Sequence, residues 1–173
     1  MVFPVDVIVG LAVIAVLLVV SALISGSEVA FFALRPVDIA QLRNKKNRVS
    51  RTAKDLLDQP EKLLATILIA NNFVNVGIVI LSTWVSHNIF DFSSNPALGF
   101  ILQTIVITFI ILLVGEIVPK VYASRFSLKF VFFMALPIKT LSIIFKPLAA
   151  VLIRSTSAVQ KRLKDHKSNI SIN

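Results

Sequence analysis

Residues 1–34 and 63–119 contain no lysine or arginine, and all 18 basic residues fall within Arg35–Lys62 or Lys120–Lys167. The basic-free stretches are strongly apolar. A helix needs roughly 20 apolar residues to cross the hydrocarbon core of a bilayer, and each stretch supplies at least that many. With 56% hydrophobic residues and a mean hydropathy of +0.85, the chain lies far from the composition of a soluble domain. The expectation is an all-α integral membrane protein.

The net charge of +9 follows the same segregation. A basic nucleic-acid surface would interleave its charges with polar and aromatic residues, so no nucleic-acid partner is expected. Alternation with apolar blocks is instead the positive-inside pattern, with the basic segments against anionic lipid headgroups on the cytosolic side. Cysteine is absent, which removes disulfides, thiol nucleophiles and thiolate metal sites.

Three transmembrane helices are predicted, with the N-terminus outside and the C-terminus inside, in a multi-pass protein of the cell membrane. The first covers about residues 4–34; its opening "MVFPVDVIVG" has no basic n-region, so it is read as a retained helix and not a cleaved signal. The second covers 61–85, entered through "DQPEKLL" and ending near Trp84 at the outer interface. The third covers 96–122, opened by "SSNP", with Gly115 and Pro119 loosening its inner end. Between the first two, residues 36–58 read as one or two cytosolic juxtamembrane helices. Residues 126–153 are long enough to cross, but Lys129, Lys139, Lys146, Pro137 and Pro147 interrupt them, and crossing would carry a basic tail outside. They read as amphipathic helices in the inner interface. Residues 154–173 read as a cytosolic linker.

Each predicted span spends polar residues inside the membrane. Ser21 and Ser25 are four apart, as are Asn71 and Asn75, so each pair shares a helix face. Glu116 stands beside the Gly115 carbonyl, whose normal helical donor is lost if Pro119 lies four residues on in the same helix. At about 1.5 Å per residue from Leu34, Lys62 and Arg125, Ser25, Asn71 and Glu116 all lie roughly 14 Å deep, with Ser21 and Asn75 at roughly 20 Å. Two hydroxyls, two amide oxygens, a carboxylate and a backbone carbonyl make a six-oxygen set. That suits a small hard cation, Mg²⁺ before Ca²⁺. A single charged ligand under-neutralises a dication, which fits a carrier that must release its cargo.

The segments "SALISGSEVAFFAL", "LLATILIANNFVNVGIVIL" and "GEIVPKVYASRF" resemble the signature segments of the transmembrane domain of the CNNM/CorC family of magnesium transporters, over residues 4–150. The resemblance implies a homodimer of three-span protomers that exports Mg²⁺ coupled to Na⁺. By motif position it implies Ser21, Ser25, Asn71, Asn75, Gly115 and Glu116 as cation ligands. Family members usually continue into cytosolic CBS domains that bind ATP, and such domains are absent from these 173 residues, as in a shortened chain.

Other readings compete with these. Serines and asparagines in membranes most often bond neighbouring helices, but five polar side chains converging from three helices, one of them a carboxylate, favour a site. Glu28 reads either as a carboxylate beside the cation path or as one reaching the inner interface. Ala22, Gly26 and Ala30 form a small-residue stripe that serves either a homodimer or the chain's own helices. Lys120 formally invites a Ser-Lys dyad, yet it lies where basic residues belong anyway, and His87 and His166 are too far apart for a triad; no enzyme is expected. The alternative to a transporter is a membrane-embedded Mg²⁺ sensor or scaffold.

Overall fold

The computed structural model describes residues 4–45, 47–90 and 95–155, and no strand occurs among them. Helix α1 (Val5–Phe32) is followed by α2 (Pro36–Asn44) and α3 (Arg48–Leu57), then α4 (Pro60–Ile89). Helix α5 (Pro96–Ile110) runs through a π-helical segment, Ile111–Ile117, into α6 (Val118–Arg125), and α7 (Ser127–Ile144) follows. Residues 146–155 are again helical after a break at Phe145, ahead of Pro147. The linker residues 156–173, with His166, lie outside the described residues.

Proline sets three of these starts. Pro36, Pro60 and Pro96 each occupy the first turn of their helix, where the missing N–H costs nothing. Asn47 and Asn95 add side-chain caps, accepting from the backbone N–H groups of Ser50 at 2.7 Å and Leu98 at 3.3 Å. At the start of α2 the Asp38 carboxylate accepts from the Arg35 backbone N–H at 3.1 Å and from its guanidinium at 3.0 Å. The guanidinium bond holds the Asp38 carboxyl below its ordinary value, with a smaller opposing effect of burial.

Among the described residues four helical stretches are long and apolar enough to cross a membrane: Val5–Phe32, Pro60–Ile89, Pro96–Arg125 and Ser127–Ile144. The first three correspond to the predicted spans, with the second and third running a few residues further than expected. The fourth falls in the segment expected to lie in the interface. The predicted cytosolic stretch resolves into two helices, α2 and α3.

The core lies toward the end of the bundle where the basic residues collect, here called the basic end. There Ile24 and Phe31 of α1, Ile67 of α4, Ala123 of α6 and Val131 and Ile138 of α7 are buried together. Helix α3 presents Ala53 and Leu56 to this core and packs on α7, while Arg48, Arg51 and Lys54 face away. The α5 helix is the opposite case: only Gly99 is buried, and Phe100, Ile105 and Phe109 are exposed. In a membrane these side chains face lipid tails or another helix, which cost an apolar side chain little.

At the other end α1 and α4 approach closely at Gly10. A methyl group added there would meet Val85 Cγ2 at 2.7 Å and the Trp84 ring at 3.1 Å. Gly10→Leu is therefore expected to destabilise the bundle by about 1–3 kcal/mol, as overpacking does. A lowered melting temperature in detergent would show it; an unchanged one would mean the two helices are not held at this distance.

Candidate intramembrane cation site

Three helices deliver the polar residues to one level. Ser21 projects from α1 and is fully buried, while Asn71 and Asn75 lie one turn apart on α4 and are partly buried. Gly115 and Glu116 come from the π-helical segment, in which the Val118 N–H bonds to the Leu113 carbonyl five residues back. Pro119, which lacks an N–H, follows directly. It can supply neither the α-register donor to Gly115 nor the π-register donor to Val114, so the helix cannot run through this point with its ordinary bonding. The wider turn leaves Leu112, Leu113, Val114 and Ile117 outside and turns Gly115 and Glu116 toward the bundle.

The side chains bond directly to one another. The Ser21 hydroxyl donates to Asn75 Oδ1 at 2.7 Å, with Asn71 Oδ1 as a longer alternative at 3.2 Å. The amide Nδ2 groups of Asn75 and Asn71 donate to the same carboxylate oxygen, Glu116 Oε1, at 3.0 and 3.3 Å. Gly115 closes the group from the side. A Cβ placed on it would stand 3.2 Å from Ser21 Oγ, so the glycine lets the third span approach the serine.

Ser25 lies one turn nearer the basic end and is 1% exposed, and its Oγ has no hydrogen-bond partner among the described residues. A buried hydroxyl left unpaired costs about 1–3 kcal/mol, and Ser50 Oγ in α3 shares that state, so the Ser25 oxygen is available to a ligand without requiring one. Of the six candidate ligands, then, four are linked by hydrogen bonds, Gly115 abuts Ser21, and Ser25 stands apart with a free oxygen. Among the described residues no three His, Asp or Glu side chains come together. Any hard cation here would rely on neutral oxygens around one carboxylate.

Two features are not apparent from the residues taken singly. Lys120 Nζ lies 3.0 Å from Glu28 Oε2, which pairs α1 with α6 and places the lysine on a carboxylate, not on a serine. The signal was available: Glu28 follows Ser25 by three positions and Lys120 follows Glu116 by four, so opposite charges stand one turn below candidate ligands on facing helices. The small-residue stripe is also used within the chain. A Cβ on Gly26 would meet Phe130 Cζ at 2.7 Å and the Pro119 carbonyl oxygen at 3.3 Å, and Ala30 is buried in the core. His87 is exposed near the end of α4, remote in sequence from any of these groups.

Fold and polar cluster together define a multi-pass, all-helical membrane protein. Residues 12–171 match the family described as the cyclin M transmembrane N-terminal domain, CNNM, and the chain belongs to that family. It is similar to a UPF0053 protein of Haemophilus influenzae, 33% identical over 131 residues, which cover 76% of this chain and 30% of that one. It is also similar to the UPF0053 inner membrane protein YfjD of Escherichia coli, 27% identical over 144 residues, covering 83% of this chain and 32% of the relative. A third relative, the UPF0053 protein sll1254 of Synechocystis, is 25% identical over 147 residues, covering 84% of this chain and 41% of its own length. The chain thus spans well under half the length of the curated relatives it matches.

Proposed function

We propose that this chain is the membrane domain of a Mg²⁺ transporter, with Ser21, Ser25, Asn71, Asn75, the Gly115 carbonyl and Glu116 as the ligands of the transported ion. The observation that carries the reading is the bonded group Ser21, Asn71, Asn75 and Glu116, drawn from three separate helices. A carboxylate at bilayer depth is expensive and is ordinarily functional. Here its partners are two neutral amides, so no cationic side chain among these bonds competes for the charge.

The chemistry suits a carrier. Each asparagine has a donor end and an acceptor end. With both Nδ2 groups toward Glu116 and both Oδ1 atoms toward Ser21, the two amides satisfy the carboxylate oxygen while the single serine hydrogen serves one amide oxygen at a time. Rotation of each amide about its last torsion presents Oδ1 beside the carboxylate and gives a small dication neutral oxygens in place of water. The cost of leaving a bare carboxylate in lipid is thereby avoided when the ion departs, and a single negative charge keeps the ion releasable.

Three spans with the basic end in the cytosol remain the proposed topology, with α7 in the inner interface. Its contacts support this. Phe130 near its start adjoins Gly26 of α1, and Phe145 just past its end packs against Phe73 of α4, the rings tilted by 59° with centroids 5.9 Å apart. These two points are about 22 Å apart along α7, while Gly26 and Phe73 differ by only about 10 Å in depth from the basic ends of their helices at Phe32 and Pro60. Lys139 borders Gln59 and Lys62 at the start of α4, and Lys45 lies 4.8 Å from the centre of the Phe132 ring. A helix whose ends differ that little in depth is strongly inclined to the bundle axis, which supports the interfacial reading. A homodimer with one site per protomer and export of Mg²⁺ in exchange for Na⁺ complete the proposal.

Reconstitution of the chain in liposomes loaded with a Mg²⁺ indicator tests it. Flux is expected, and Asn75→Ala, which removes an oxygen and the 3.0 Å bond to Glu116, is expected to reduce it at least tenfold. Mg²⁺ binding with no flux in the unmutated protein would leave a membrane-embedded sensor or scaffold as the better reading.

A further inference from the structure

Below the cluster, toward the basic end, α1 carries a descending row of oxygens. At about 100° per residue, Ser21, Ser25 and Glu28 fall within about 60° of one another on one helix face. On the facing rod Lys120 stands one turn below Glu116. Its ammonium, 3.0 Å from the Glu28 carboxylate, ties the two helices together at this level, with both side chains about a third exposed. The buried, unpartnered Ser25 hydroxyl lies between this ion pair and the bonded group above. A partly exposed ion pair contributes little to stability, so stability alone gives no reason for this placement.

We propose that the Glu28–Lys120 ion pair is the gate on the basic-end side of the cation site, and that Ser25 and Glu28 form a second, transient site for a divalent cation once Lys120 withdraws. Lys120 acts as a tethered cation. While the path is closed it neutralises Glu28; a dication approaching from the basic end displaces it, is held by the Glu28 carboxylate and the free Ser25 oxygen, and passes on to Glu116 one turn higher. The hinge is next to the gate. Lys120 follows Pro119 in the first turn of α6, directly after the π-helical segment, and the Pro119 carbonyl stands against Gly26 of α1. A change of register in that segment therefore moves Lys120 relative to Glu28. This gate rests on the cation-site reading above, and it adds Glu28 and Lys120 to the path.

The chain has no cysteine, so Ser25→Cys introduces a unique thiol behind the gate. Its rate of reaction with the neutral reagent N-ethylmaleimide, in detergent and without Mg²⁺, reports access. Lys120→Gln and Glu28→Gln are each expected to speed the reaction about tenfold. The two substitutions shift local charge in opposite directions, so a rise in both reflects opening and not a change in the thiol itself. The exchanged pair Glu28→Lys with Lys120→Glu is expected to restore the slow rate, which guards against general loosening of the fold. Equal rates in all variants, a rise in one single variant only, or no recovery in the exchanged pair would overturn the gate. Because this assay contains no Mg²⁺, its outcome is separate from that of the cation site, which fails instead if Mg²⁺ does not stabilise the unmutated protein.

Discussion

Glu116→Gln is expected to abolish stabilisation by Mg²⁺ while leaving the protein itself as stable as before, or more so. Glutamine keeps a carbonyl oxygen in the position that accepts from Asn71 and Asn75, so the bonds at 3.3 and 3.0 Å have an acceptor in the variant. What is lost is the one negative charge at the site. With an effective dielectric constant near 20, a dication about 4 Å from a carboxylate gains on the order of 8 kcal/mol of gross attraction, and desolvation cancels only part of it. An affinity loss of more than about a hundredfold follows, since each 1.4 kcal/mol is tenfold. At a Mg²⁺ concentration a hundred times the dissociation constant, the unmutated protein should gain about 2.7 kcal/mol, a rise of roughly 5–10 °C in melting temperature. The variant should show no rise. Removing a charge from bilayer depth relieves a cost, so its melting temperature without Mg²⁺ should not fall. A variant that melts early in the absence of Mg²⁺ would instead mark Glu116 as structural.

Gly115→Val carries the second large effect. No described glycine has a positive φ, so the backbone at 115 accepts any L-residue and only space is at issue. The first added carbon would stand 3.2 Å from Ser21 Oγ and 3.6 Å from Ser21 Cβ. Ser21 cannot readily yield, because it is wedged against Asn75 by the 2.7 Å bond. Valine adds two further methyl groups, so a loss of about 1–3 kcal/mol in stability and loss of Mg²⁺ stabilisation are expected together. Gly115→Ala separates the two. Alanine gains about 1 kcal/mol of helix propensity over glycine, which offsets the tighter contact. Its melting temperature should stay near that of the unmutated protein while Mg²⁺ binds about tenfold more weakly. An alanine variant with unaltered Mg²⁺ binding would mean that Ser21 and Gly115 do not share a site.

Much of this architecture is legible in the sequence because the bilayer imposes simple requirements. Apolar length and proline position mark the starts of α2, α4 and α5, at Pro36, Pro60 and Pro96. Spacings of four put Ser21 with Ser25 and Asn71 with Asn75 on single faces, and equal depth suggests their meeting. The residues cannot reveal how the polar groups satisfy one another. Whether an amide turns its oxygen or its nitrogen toward Glu116 depends on three helices at once, and so does the orphaning of Ser25 but not Ser21. Nor does the sequence distinguish a proline kink from the π-helical segment, since both answer the same missing N–H at Pro119. Residues 127–144 are ambiguous for a related reason: length and apolarity allow a crossing, while Lys129, Lys139 and Pro137 favour the interface.

The central claim is that oxygens from α1, α4 and the π-helical segment close around one small dication. Anomalous diffraction from crystals of the chain grown with Mn²⁺, which shares the octahedral oxygen preference of Mg²⁺, tests this most directly. The expected result is an anomalous peak bounded by Ser21, Asn75 and Glu116, with the asparagine oxygens turned toward it. A peak elsewhere, or no peak with Asn71 and Asn75 still donating to Glu116, would contradict it.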